Sequence, residues 1–256
     1  MMTGAQASAG SGPTAGSGPA IRGVRAGTGG LALGLATLVT MLAGSAAGLF
    51  LVPADTTQGE IQRLMYVHVP GAWLAMLSFF MVFVMSILYL VQRRPAWDLM
   101  AASSAEIGVL FTVLTLALGS LWAKPTWGVW WTWDPRLTTT AILLMVYVGY
   151  LSVRGFAEDP EKRARWSAVV GIVGFVDVPI VYLSVYWWRS IHQPPSSPRS
   201  VAPVFVAVLL LNLFAFTLCY VYLMIRRFRL AVAEQQLERV EAEGLRTVPD
   251  PDRRGR

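Results

Sequence analysis

Six long apolar runs dominate this chain, at about 30–52, 70–91, 99–123, 137–153, 167–187 and 201–225. At 1.5 Å per residue, about 20 residues cross the roughly 30 Å hydrocarbon core of a bilayer. The fourth run is the shortest and has room to begin inside the loop before it. Within each run the apolar residues are continuous rather than alternating, which excludes a membrane β-barrel. Charged residues make up only 14 % of the chain, against about 25 % in soluble domains. The expected fold class is therefore all-α: a polytopic membrane helical bundle of six transmembrane helices. Its organisation reads as a Gly/Ala-rich disordered tail (1–29), a six-span membrane domain (30–225) and a charged tail (226–256) with a short helix over Ala231–Leu245.

The 21 Lys and Arg residues are unevenly distributed. Assigned alternately to the segments between spans, 16 fall with the two termini and the loops 92–98 and 154–166, and 5 fall on the other side. The positive-inside rule then places both termini in the cytoplasm and the opposite loops outside. The net charge of +6 is thus explained by topology, and no nucleic-acid partner is expected. Arg22 and Arg25 ahead of the first run, with Ala43-Gly44-Ser45 or Ser45-Ala46-Ala47 near its end, imitate a signal peptide. The run continues to Val52, longer than a signal h-region, so it is expected to be retained as a span. Gly44 and Gly48 form a small-xxx-small pattern, which suggests close packing of the first helix. The single cysteine, Cys219, allows no disulfide within the chain and reads as a small buried hydrophobe.

Three features exceed what membrane insertion requires. Five of the ten tryptophans, Trp122, Trp127, Trp130, Trp131 and Trp133, lie within 122–138, between the third and fourth spans. An interfacial belt explains one or two tryptophans per helix end. Five together, interleaved with Pro125, Gly128 and Pro135, read as a loop or re-entrant surface presenting an apolar shelf to a large flat ligand. The only two histidines, His68 and His192, fall on the same outer side and flank that shelf. Two imidazoles so placed suit the axial positions of a haem iron; zinc would need further ligands, for which Asp134 is the one candidate. Arg63, Arg136 and Arg189 each neighbour one of these elements and suit the propionates of such a ligand. Asp134 is expected to position Arg136 or to cap the following helix.

Glu106 and Asp177 fall inside the third and fifth spans. Intramembrane carboxylates are costly and often functional, so an alternative reading is a small-molecule permease that uses them as coupling groups. Asp177 also precedes Pro179, where a kink is expected.

The segment Trp127-Gly-Val-Trp-Trp-Thr-Trp133-Asp134-Pro-Arg136 is similar to the tryptophan-rich WWD signature of haem-handling membrane proteins. With Met65-Tyr-Val-His68-Val-Pro70, Ser190-Ile-His192-Gln-Pro-Pro, six spans and this length, residues 30–225 resemble the CcmC family of cytochrome c-type biogenesis. Larger relatives, the cytochrome c haem lyase subunits, share the tryptophan motif but have more spans. The resemblance implies a multi-pass protein of the bacterial inner membrane that binds haem b at the periplasmic face and is not itself an enzyme. It implies His68 and His192 as axial ligands of the haem iron, with the tryptophan loop cradling the porphyrin. It further implies delivery of haem to the periplasmic haem chaperone CcmE, alongside the ABC-type subunits CcmA and CcmB and the small protein CcmD. The chain contains no G-x-x-x-x-G-K-[ST] motif, so ATP hydrolysis is expected in a partner.

Overall fold

Four of the helices begin on a proline, where the missing N–H costs no intrahelical bond and the fixed φ suits the first turn. A computed structural model describes residues 28–157, 159–192 and 201–247. The helices are α1 (Thr28–Ala46), α2 (Met65–Gln92), α3 (Pro95–Trp127), α4 (Pro135–Phe156), α5 (Pro160–Gly174), α6 (Asp177–Trp187) and α7 (Pro203–Thr247). A π-helical turn, Ala47–Leu51, extends α1, and a 3₁₀ turn, Glu60–Leu64, leads into α2. Among the described residues there is no strand, only an isolated bridge between Asp55 and Gly59. Six helical segments are long and apolar enough to cross a membrane, each overlapping one of the six expected runs. Most of the expected N-terminal tail, the last residues of the C-terminal tail, and the loop residues after His192 lie outside the described residues.

The up-and-down connectivity gives the bundle two ends. One carries the end of α1, the starts of α2, α4 and α7, and the ends of α3 and α6; it holds the tryptophan-rich connection and is called here the tryptophan end. The other carries the basic loops. The core lies between α2, α3, α4, α6 and α7, built from Leu74, Phe79, Val82, Leu143, Tyr147 and Phe216, among others. Phe79 stacks on Tyr147 with ring centroids 3.7 Å apart. This stack needs Gly108 in α3, where a β-carbon would stand 2.5 Å from the Phe79 ring. Buried hydroxyls bond within or between helices: Ser104 Oγ donates to the Ser78 carbonyl at 2.8 Å and sits 2.7 Å from the Tyr220 hydroxyl. The outer surface remains apolar, with Leu110, Met145 and Phe214 exposed, as expected where lipid is the solvent.

The small residues of the first helix have specific neighbours. A β-carbon at Gly44 would stand 2.7 Å from Asn212 of α7, and one at Gly48 would stand 3.0 Å from the Tyr66 ring of α2. Asn212 Nδ2 donates to the Gly44 carbonyl at 3.0 Å. The fifth span is broken, as Pro179 led us to expect. Helix α5 ends at Gly174, and α6 starts at Asp177. Proline has no N–H to offer the Phe175 carbonyl; the Val178 amide serves it instead, at 3.0 Å. The C-terminal segment departs from expectation. The helix expected over Ala231–Leu245 is present but is not separate from the last span, because α7 runs unbroken to Thr247. The sequence from Arg226 onward is rich in Ala, Glu, Gln, Leu and Arg, all strong helix formers, with no proline before Pro249.

At the basic end, Arg154 at the close of α4 holds Asp98 at the start of α3 through two bonds of 2.5 and 2.9 Å. Both side chains are nearly buried, at 13 % and 11 % exposure. Removing one partner of such a pair strands the other charge, at a cost of about 3–5 kcal/mol, whereas replacing both with apolar groups is often near neutral. Asp98→Ala is therefore expected to lower unfolding stability in detergent by that order. Combining it with Arg154→Met should restore most of the loss, as measured by denaturant titration of helical circular dichroism.

Candidate functional site

The connection between α3 and α4 is shorter than the sequence suggests. Trp122 and Trp127 belong to the last turns of α3, which continues through Pro125 and ends only at Gly128. The expected loop over 122–138 is corrected accordingly: only residues 128–134 are non-helical. Pro125 removes one rung, not the helix, because it falls within the final turn. Gly128 supplies the stop. Its φ of 78° is left-handed, and its N–H closes on the Lys124 carbonyl at 3.0 Å. Lys124 Nζ donates back to the Gly128 carbonyl at 3.0 Å and lies 6.0 Å from the Trp130 ring centroid.

His68 stands one turn into α2, facing the end of α3. Its Cε1 is 3.1 Å from where a β-carbon of Gly119 would be, so this glycine admits the imidazole. The Trp122 ring meets His68 edge-on, with centroids 5.7 Å apart. Trp122 is itself oriented, because its Nε1 donates to Gln58 Oε1 at 2.8 Å. Gln58 sits in a turn built by Asp55, whose Oδ1 accepts from the Thr57 and Gln58 amides at 2.8 Å each. Gly59 completes the turn at φ 62°. The His68 Nδ1 is buried, with no hydrogen-bond partner among the described residues. His192 and Arg136 are both within electrostatic reach of this imidazole, so the two histidine segments and the start of α4 converge at the tryptophan end.

Asp134 makes that convergence specific. It caps α4 as expected, Oδ1 accepting from the Arg136 amide at 2.9 Å. Its other oxygen, Oδ2, accepts from Ser190 Oγ at 2.7 Å and from the Ile191 amide at 2.8 Å. The His192 amide in turn donates to Ser190 Oγ at 3.0 Å. One buried carboxylate thus joins the tryptophan segment to the second histidine segment. The His192 ring meets Trp127 at 5.9 Å between centroids. Trp131 and Trp133 meet edge-to-face at 5.9 Å, and Trp133 is 81 % exposed, leaving indole surface for a ligand.

The three arginines differ. Arg136 lies near Tyr182 and Tyr186 of α6, and Arg189 is exposed just beyond α6. The Arg63 guanidinium bonds to Glu60 and to the Gly48 and Leu49 carbonyls, where the π-helical turn ends α1. Arg63 therefore clamps the first span to the start of the second. The intramembrane carboxylates also separate. Glu106 forms a two-bond fork with Arg227 of α7, at 2.5 and 2.8 Å. Asp177 sits at the break in the fifth span, with Oδ2 buried and unpaired among the described residues. Among those residues no group of three His, Cys, Asp or Glu is placed to hold a metal ion. Sequence reasoning did not assign Gln58, Gly119 or Ser190. Of these only Ser190 carried a hint, being two residues from His192.

The fold and this end of it define a multi-pass membrane protein with an aromatic and histidine cluster at one face. A family model described as "Heme exporter protein C" matches residues 25–243. A "Heme exporter protein C" of Bradyrhizobium diazoefficiens is 38 % identical over 195 residues, covering 75 % of this chain and 74 % of the relative. The protein of the same name from Escherichia coli K12 is 34 % identical over 198 residues, covering 77 % and 81 %. A "putative cytochrome c biosynthesis ccmC-like mitochondrial protein" of Marchantia polymorpha is 36 % identical over 162 residues, covering 63 % and 68 %. The chain belongs to the CcmC family, as the tryptophan signature and the two histidine segments led us to expect.

Hydrogen bonds to a charged acceptor contribute about 1.5–3 kcal/mol, which corresponds to about 10- to 100-fold in an opening equilibrium. Asp134→Ala is accordingly expected to speed amide exchange at Ile191 and His192 by about that factor. Hydrogen-exchange mass spectrometry on the peptide containing 189–192 reads this directly, with exchange in the α2–α3 core as the unchanged reference.

Proposed function

We propose that this chain binds haem b at the tryptophan end, facing the periplasm of a bacterial inner membrane, and hands it on during cytochrome c biogenesis. The observation that carries the reading is the convergence of His68 and His192 on one end of the bundle, beside exposed indoles and tied together through Asp134. These residues fit the cargo. The buried, unpartnered Nδ1 marks His68 as an imidazole without a structural hydrogen bond at that atom. The surfaces of Trp127, Trp130, Trp131 and Trp133 suit an aromatic macrocycle. Arg136 and Arg189 offer planar forks to the propionates, and Arg63 serves by fixing the first two spans.

In this reading His68 and His192 supply the two axial nitrogens. Trp122 and Gln58 fix the approach of the first, and Ser190 and Asp134 fix the second. Ligation through two imidazoles closes both faces of the iron to oxygen. Transfer then requires one axial bond to be released, and His192, held through a short non-helical segment rather than a helix, is the side able to move. The acceptor is the periplasmic chaperone CcmE. CcmA and CcmB supply ATP hydrolysis, and CcmD completes the assembly. The chain acts as a haem-handling component of export rather than as a catalyst with its own acid and base. The excess of Lys and Arg in the termini and in the loops 92–98 and 154–166 supports this orientation.

Adding haem to the purified full-length protein is expected to produce a Soret band with two-imidazole ligation. His68→Ala and His192→Ala should each change the ligation state. Asp134→Ala should weaken haem binding about 10- to 100-fold, as loss of an outer-shell brace does at metal sites. Glu106→Gln and Asp177→Asn should leave the spectrum unchanged. A wild-type protein that binds no haem, or transport of a small molecule that depends on those two carboxylates, would count against the assignment.

A further inference from the structure

A cleft of about 620 Å³ opens between α3 and α7 toward the basic end, away from the histidines. Its charged lining is Glu106, Arg226, Arg227 and Arg229. Glu106 and Arg227 neutralise one another through their fork, and Arg227 also bonds Glu234 at 3.1 Å. That leaves Arg226 and Arg229 with no acidic partner among the described residues, so the cleft carries uncompensated positive charge. The rest of its wall is apolar. Leu110 and Leu230 remain 60 % and 53 % exposed, and Leu223 also lines the cleft.

We propose that this cleft binds an anionic phospholipid, with Arg226 and Arg229 holding the phosphate and the leucine wall carrying the acyl chains. Guanidinium forks match phosphate geometry, and basic pockets between membrane helices hold anionic headgroups. The apolar wall distinguishes a lipid from free phosphate, which would leave that surface uncovered. No histidine, cysteine or methionine lines the cleft, so a haem lying there would find no imidazole, thiolate or thioether for its iron. The Glu106–Arg227 fork joins the α3 and α7 walls of the cleft. This inference is independent of the haem reading.

The test uses the full-length protein released from mixed phosphatidylglycerol and phosphatidylcholine bilayers, with bound lipid counted by native mass spectrometry. The expected result is selective retention of phosphatidylglycerol. The R226Q/R229Q double variant should reduce retention at least about tenfold, while the charge-matched R253Q/R254Q variant should not. Ala233→Trp, which fills the cleft and leaves every charge in place, should also release the lipid. Helical circular dichroism confirms that each variant is folded. Equal retention of both lipids, equal loss in the R253Q/R254Q variant, or undiminished retention in Ala233→Trp each overturns the proposal. Displacement by millimolar inorganic phosphate would reassign the cleft to free phosphate, and displacement by stoichiometric haem would reassign it to haem.

Discussion

The two oxygens of Asp134 do separate jobs, and the candidate site depends on both. One oxygen starts α4 by accepting an amide of its first turn; the other holds the segment that carries His192. Non-helical backbone near a bilayer needs partners of its own, because lipid supplies none. Trp188 closes α6 with the last helical bond, to the Ser184 carbonyl, and the segment 189–192 that follows is outside the helix. A neutral side chain at 134 could cap the helix, but only a carboxylate offers enough lone pairs to accept all three bonds. The acid in the tryptophan signature is therefore structural, linking two segments 56 residues apart in sequence.

A similar division appears on the other flank. His68 rides on a helix and needs no tether, but it needs room and a fixed neighbour. Gly119 provides the room, and Trp122, locked by Gln58, provides the neighbour. One histidine is thus held by a helix and the other by a hydrogen-bonded non-helical segment. That asymmetry suits the proposed role, in which cargo is bound firmly and still released, since a non-helical segment opens at less cost than a helix.

The spans, the break before Pro179 and the tryptophan signature were legible because each is local: a run of apolar residues, a missing N–H, a cluster of indoles. The extent of the tryptophan loop was misread, because Pro125 signals a helix end in isolation and yet sits within the last turn of α3. The ion pairs were not legible at all. Asp98 with Arg154, and Glu106 with Arg227, join residues 56 and 121 positions apart. Counting charge by loop assigned Arg154 and Arg227 to topology, whereas both also neutralise carboxylates within the bundle. Gln58 was invisible for the same reason: its partner lies 64 residues away.

These pairings bear on how the intramembrane carboxylates are to be read. A carboxylate in a span invites a functional reading because its burial is costly. Glu106 meets that cost with an arginine from α7, and the two bonds fasten α7 to α3. Asp177 has no such partner among the described residues, but it begins α6 at the break, where negative charge is favoured by the helix dipole. Each acid therefore has a structural reason for its place without any transported ion. No comparable structural reason attaches to the exposed indoles of Trp130 and Trp133, or to the buried His68 Nδ1, which has no hydrogen-bond partner among the described residues. The contrast between Glu106, paired within the fold, and the indoles left exposed at the tryptophan end is what favours the proposed haem reading over a permease.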